Sequence, residues 1–522
     1  MGEIIIKVNG IFRKTILSTL VVGLFVCGKA KTTASGEMPN NPRVQSGSVK
    51  ITGTGTNHLQ INTKTNKTII NWDSFSIHSG GRVDFNQPSA DSFSLNRVTG
   101  STPSSIAGQL NSNGKLMLVN PNGVLITPGG VINARSFTAS TLDINNQDFL
   151  DENFTFNGNG NSNGVVNSGK ITIGGNGQAA LLGGYVSNSG IVTAKLGKIF
   201  VGAGEKVTLD FVGDGLMTVT IPSTKLGSIK DINGKTIKSL ISNNGSLKAN
   251  GGLVQLSAAT AMGLTRSAVN IGSTGRIIAQ SVDSKPGKIV IGNPSANSVR
   301  IAGNIDVSTP KRSLSPSGTV IVRGKSISHQ GNIYANGTMG GKVKVLSKDN
   351  LKLDGSILAK GDNKGGSIIL MSENEIQSLP KTVVDVSGKV KGGTAQLLAK
   401  VKNKVAGTIY ADSKSGNGGG IDITAEKTEL VKANISATGR TQGGKVRIGG
   451  EYLGGQELTN MDIRQQLWKE KEDLVDQDMA PFGFVLDGVN DEYGEKIGHT
   501  IDEYGSTFSP VVQSHREWLE DW

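Results

Sequence analysis

The sequence predicts an all-β fold, a right-handed parallel β-helix with an N-terminal domain capping it. Three observations predict this. The first is composition: 72 of the 522 residues are Gly and only 5% are aromatic. Glycine is therefore about twice as common as usual. Such a chain cannot build a thick core around large side chains, but it can stack short strands around a thin one. Val and Ile recur too regularly for disorder. The second observation is a pair of phrases that alternate from Val165 to Gly450. One is a small or polar residue, Gly, a spacer and an aliphatic residue, as in Ser168-Gly169-Lys170-Ile171, Thr274-Gly275-Arg276-Ile277 and Gln330-Gly331-Asn332-Ile333. The other is Gly followed by a strand-forming run, as in Gly197-Lys198-Ile199-Phe200-Val201 and Gly341-Lys342-Val343-Lys344-Val345. The third is their combined period of roughly 20–30 residues, the range of solenoids. One turn cannot bury its apolar side alone, whereas stacked turns place Ile over Val over Leu and bond strand to strand about 4.8 Å apart. Parallel crossovers are right-handed by general preference. About 20 turns at that spacing would make a rod about 100 Å long. Stacked antiparallel sandwiches are the alternative, but the repeat lacks paired two-residue hairpin signals.

Residues 1–34 read as a secretory signal. Lys7, Arg13 and Lys14 supply the positive start and Ile16 to Val26 the apolar run, with small residues at Gly28-Lys29-Ala30 or Thr32-Thr33-Ala34 for cleavage. The run is short for a transmembrane helix. The one cysteine, Cys27, lies inside it. A lipoprotein signal ending at Cys27 is the weaker alternative, because Phe25 and Val26 are not small. Removal of the signal would leave no cysteine, hence no disulfide and no thiolate metal site.

Residues 43–145 form the capping domain. Alternation in Val49-Lys50-Ile51-Thr52 and His58-Leu59-Gln60-Ile61-Asn62 favours strands. Trp72 and Phe75 read as core or end-cap residues. Asn120-Pro121-Asn122-Gly123 is turn chemistry: Pro presets φ, and Asn and Gly tolerate left-handed φ. Taken with Ile69-Ile70-Asn71-Trp72-Asp73-Ser74-Phe75, Phe85-Asn86-Gln87-Pro88-Ser89, Leu95-Asn96-Arg97-Val98 and Ala139-Ser140-Thr141-Leu142-Asp143, this turn completes an ordered set of motifs. In that order and spacing, Gln45 to Ile144 resemble the N-terminal secretion domain of filamentous-haemagglutinin-type exoproteins, the passengers of two-partner secretion. A second Asn-Pro-Asn-Leu turn of that family is missing here, which bears on the subfamily. The resemblance implies recognition residues at Asn96, Arg97, Asn120, Pro121, Asn122 and Gly123. For Arg97 two readings stand: an Arg bonding turn carbonyls, or a direct contact with the secretion partner.

Residues 146–164, rich in Asn, Gly and Ser, read as a polar loop. The β-helix repeats take 165–455. In 456–522 glycine thins and acidic residues such as Glu470, Glu472, Asp473, Asp476 and Asp478 accumulate. This segment reads as an acidic tail or cap, with a short amphipathic helix over Met461 to Val475.

The formal charge is +12, from 54 basic and 42 acidic side chains. The basic residues are scattered singly, which suits a solvated face that blunts strand edges and argues against nucleic-acid binding, since no binding module accompanies them. Attraction to acidic glycans or a negative cell surface is the functional alternative. The five histidines show no metal-pair spacing, no G-x-S-x-G elbow appears, and the Gly-rich stretches lack the Lys-Ser/Thr of a phosphate loop. No enzyme activity and no cofactor are expected. The rival is a β-helix enzyme that degrades polysaccharides, with Asp306, Asp354, Asp385 or Asp422 aligned across coils; a haemolysin-like exoprotein is a second. The resemblance implies export through a dedicated outer-membrane β-barrel transporter with POTRA domains, and display outside the cell or at its surface. An adhesin role follows as the expectation, toward a host or bacterial cell-surface receptor or glycan.

Overall fold

The computed structural model describes residues 37–159, 163–209, 217–220, 236–259, 267–293, 298–310 and 315–449. The signal segment 1–34, the acidic segment 456–522 and the helix expected over Met461 to Val475 lie outside them.

The described chain is a parallel β-helix with three faces. Lys170–Ile173, Gln178–Gly183 and Tyr185–Asn188 make one coil's worth of strands. The first face runs from Lys67–Trp72 through Phe93–Val98, Lys115–Val119 and Ser136–Ser140 to Lys445–Ile448. The second runs from Ser104–Ile106 to Lys427–Leu430, and the third from His58–Thr63 to Asn434–Ser436. Pairing along each face is parallel and in register. On the second face Val269, Val299, Ile327, Leu351, Ile376 and Asn403 are successive partners, 24 to 30 residues apart. The third-face sheet holds 15 strands among the described residues, one of them the antiparallel Val49–Thr52, so 14 turns stand against the 20 expected.

The two sequence phrases are two of these faces. The Ser-Gly-Lys-Ile type opens third-face strands and the Gly-Lys-Ile-Phe-Val type opens first-face strands. Their glycines stack in columns, and the reason is close approach. A Cβ on Gly331 would run into the carbonyl oxygen of Gly303, and one on Gly355 into that of Gly331. Inner residues alternate with outer ones and form one continuous core. Its second-face corner carries a buried amide ladder: Asn167 Nδ2 donates to Asn188 Oδ1 at 2.8 Å, and Asn188 Nδ2 to Asn243 Oδ1 at 2.7 Å. Such ladders satisfy side chains that would otherwise be costly to bury. Not every inner position follows the rule. His329 lies between Ile301 and Leu353, 1% exposed, with neither ring nitrogen bonded among the described residues.

The two ends of the described coils differ. At the N-terminal end, Arg43–Ser46 pairs antiparallel with Lys67–Trp72, and Val49–Thr52 with His58–Thr63. Arg43 Nη2 reaches Asp73 Oδ1 at 2.6 Å, and the hydrogen bond from Asn41, then that from Arg43, holds the Asp73 carboxyl below its ordinary value. Trp72, Phe75 and Phe85 fill the core beneath, with Trp72 edge-on to Phe75 at 5.3 Å. At the other end the inner-column residues Leu430, Val446 and Ile448 are 47%, 43% and 43% exposed.

A second apolar layer covers the outside of the first face. Asp143–Ile144, Thr155–Asn157, Lys206–Leu209 and Met217–Thr220 form a four-stranded antiparallel sheet. With the short helix Asn146–Leu150, N-capped by Asn145, it buries Phe149, Phe156, Val207 and Met217 against outward-facing Leu95, Met117, Leu182 and Phe200. The stretch read as a polar loop thus supplies a helix and a strand to this cover.

Candidate secretion-recognition region

Each motif of the N-terminal coils proves to be a fastener between coils. Asn120 closes the first face's Lys115–Val119 strand and is fully buried. Its Nδ2 donates to Thr102 O at 3.0 Å and to Ser104 Oγ at 2.9 Å, on the preceding coil. Its Oδ1 accepts from Asn122 N at 2.9 Å, which rounds the corner as an Asx turn. Gly123 N closes the turn on Asn120 O at 3.0 Å. Gly123 has φ +126°, a conformation that only glycine adopts readily. Asn122 Nδ2 donates to Gly100 O at 2.8 Å, and Pro121 O accepts from Asn163 Nδ2 at 2.9 Å on the following coil. The four residues therefore bind three coils at one corner.

Asn96 and Arg97 are neighbours on one strand, so they point to opposite sides. Asn96 points inward, fully buried, and accepts the Trp72 indole N–H at 3.0 Å. A buried indole needs such a partner. Arg97 points outward beneath the cover. Its Nε donates to Asp143 Oδ1 at 2.8 Å, Nη1 to Asn146 Oδ1 at 2.8 Å and Nη2 to Ile144 O at 2.6 Å. Three bonds in the fixed fork of a guanidinium tie the helix and its strand to the first face. The one carbonyl it meets, that of Ile144, belongs to the covering strand rather than to a turn. With 14% of its side chain exposed, Arg97 offers little surface of its own.

Gln87 fastens a neighbouring corner in the same way, with Nε2 donating to Ser112 Oγ and Lys115 O while its backbone is held by Asn113. Sequence reasoning missed Ser104, Asn146 and Asn163 as partners. Separation would have exposed one pair: Trp72 and Asn96 are 24 residues apart, one coil. Three of the four acids considered for catalysis are engaged with other partners. Asp306 caps Ser308 and bonds Gln280, Asp385 pairs with Lys360, and Asp422 with Arg447. Among the described residues no three His, Cys, Asp or Glu side chains group to hold a metal.

Comparison with known proteins places these features. The pattern of the TPS secretion domain matches residues 30–368, far past the N-terminal motifs. A heme/hemopexin-binding protein of Haemophilus influenzae is 31% identical over 252 residues, 46% of this chain and 25% of the relative. A second Haemophilus influenzae protein of the same name is 34% identical over 133 residues, 26% of this chain and 14% of the relative. This chain thus spans a quarter or less of the length of these relatives. Among solved structures, the HMW1 secretion domain from Haemophilus influenzae superposes with a TM-score of 0.55 at 25% identity, covering 79% of this chain and all of that one.

Proposed function

Since the chain belongs to the TPS secretion-domain family, we propose that it is a non-enzymatic exoprotein carried by a dedicated outer-membrane transporter to the cell surface or beyond, its N-terminal coils the export signal and its later coils an adhesive surface. The observation that carries the first half is the fastening of successive coils by Asn96, Arg97 and Asn120 to Gly123. These residues act through the fold: they hold the first coils in one register, and the transporter reads the result. Among the described residues Arg43–Ser46 and Val49–Thr52 pair on one side only, which suits strand addition to the sheet of a POTRA domain. Residues 1–34 act as the leader for the inner membrane, and the target of the later coils is a receptor or glycan on another cell.

Asn120→Ala tests the reading. It leaves Thr102 O, Ser104 Oγ and Asn122 N without their partner, at a cost of about 2–3 kcal/mol. The expected result is a chain that is synthesised and processed but absent from surface and medium, by immunoblot of fractions from cells with the transporter. Normal surface levels of the variant would refute it. Retention of the unaltered chain inside the cell, with or without the transporter, would sink the export reading as a whole.

The relatives favour a second reading of the target, a haem-carrying host protein. His58 Nε2 is bonded to Asp84, both ring nitrogens of His78 are engaged and His329 is buried. The described histidines are therefore poorly placed to ligate haem, and the carrier protein is the partner this reading names. Capture of hemopexin by the purified chain, equal with and without haem, is its expected result.

A further inference from the structure

We propose that the corner groove after the third face binds an uncharged, extended oligosaccharide along the coil axis. This deepens the adhesive reading above and rests on it. The groove is a cleft of about 1100 Å³. One wall is the end of the third face, where Asp385 and Tyr410 are partners in register. The other is a ridge of short parallel pairings, Gly337–Met339 with Gly361–Lys364 and then Gly361 with Gly388 and Gly388 with Ser413. Between them Asn336, Lys360, Ser387 and Asp412 line the floor in successive coils.

Three features name the ligand. The first is periodicity: a polar group recurs once per coil, about every 4.8 Å, close to the length of one pyranose unit. A linear sugar chain lying along the axis meets an equivalent position at each ring. The second is charge. Lys360, Lys389 and Lys414 are matched by Asp362, Asp385 and Asp412, so the groove has no net pull on a polyanion although the chain as a whole is basic. Hydroxyl groups, each both donor and acceptor, suit such a mixed lining. The third is preorganisation. Asp412 Oδ1 accepts from Ser436 Oγ at 2.6 Å and from Thr438 N at 2.6 Å. Asp385 Oδ1 accepts from Ser387 N at 2.8 Å, and its other oxygen meets Lys360 Nζ at 2.9 Å. The polar groups are fixed before a ligand arrives, which lowers the entropic cost of binding. The half-buried ring of Tyr410, its hydroxyl held by Asn434 at 3.2 Å, offers an apolar face for a sugar ring.

The test is calorimetry of the purified full chain against linear hexasaccharides of α-1,4-glucose, β-1,4-glucose and β-1,4-N-acetylglucosamine, with a sulfated hexasaccharide as the charged probe. The expected result is binding of a neutral member, insensitive to added salt. Tyr410→Ala weakens it about tenfold or more, equal to about 1.4 kcal/mol. Tyr410→Phe, which keeps the ring, retains it. Binding of the sulfated probe alone, binding unaltered by Tyr410→Ala, or no binding of any probe overturns the assignment. Export is read on cells and binding on purified protein, so either can fail without the other.

Discussion

Replacing His329 with leucine stabilises the surrounding coils, and the gain grows as the medium is acidified. Burial pushes His329 down to about 4 from its ordinary 6.5. Between those values the unfolded chain binds a proton that the folded chain refuses, so the native coils lose stability as pH falls from 6.5 to 4. The full loss is about 3 kcal/mol at 1.36 kcal/mol per unit. Above pH 6.5 this contribution is flat, and only the unbonded ring nitrogens remain, a burden of about 1–3 kcal/mol. Leucine fits the column, since its neighbours are Ile301 and Leu353. Hydrogen exchange of residues 298–378 at pH 7 and pH 4.5 is the measurement. The unaltered chain should exchange faster at the lower pH after correction for intrinsic rates, and His329→Leu should remove the difference. Equal pH dependence in both chains would contradict a neutral, buried imidazole.

Gly331→Val opens the middle of the solenoid. Its Cβ would overlap the carbonyl of Gly303 one coil below, and the neighbouring Gly355 repeats the approach above, so the backbone cannot move aside in either direction. Overpacking of this kind costs about 3 kcal/mol or more. Coils in a solenoid depend mainly on their neighbours, so the damage should be local: limited proteolysis cuts near residues 303–355 while 43–209 stays protected. Gly443→Ala is the control. Nothing lies within 4 Å of the position its Cβ would take, and its effect should stay within about 0.5 kcal/mol. If both variants resist protease equally, the glycine columns are not packing constraints.

The first and third faces were legible in the sequence because their inner positions are almost always aliphatic, and period-two alternation survives. The second face was not. Its inner positions include Asn167, Asn188, Asn243, His329 and Asn403, which break the apolar pattern while being bonded or buried in ways only the stacked coils reveal. The glycines read as bends in the sequence; most of their purpose is the close approach of one coil to the next. The antiparallel cover was invisible for another reason. Its strands are two to four residues long, and Asp143–Ile144 and Met217–Thr220 are far apart in sequence. Of the site residues, Asn120 to Gly123 announced a turn, but not that it fastens three coils. No local pattern says that Asn96 faces inward toward Trp72 while Arg97 beside it holds the cover down.

The unlike ends of the coils give folding a direction. Antiparallel strands close the first coil, while Leu430, Val446 and Ile448 leave the last described one with apolar side chains and strand edges to offer. Among the described coils an apolar rim is offered at this end, and each coil that joins there buries the rim beneath it and creates another. If the later coils are laid down in this order outside a membrane, each one added would forbid one length of backsliding by the segment still to cross, a ratchet in steps of one coil.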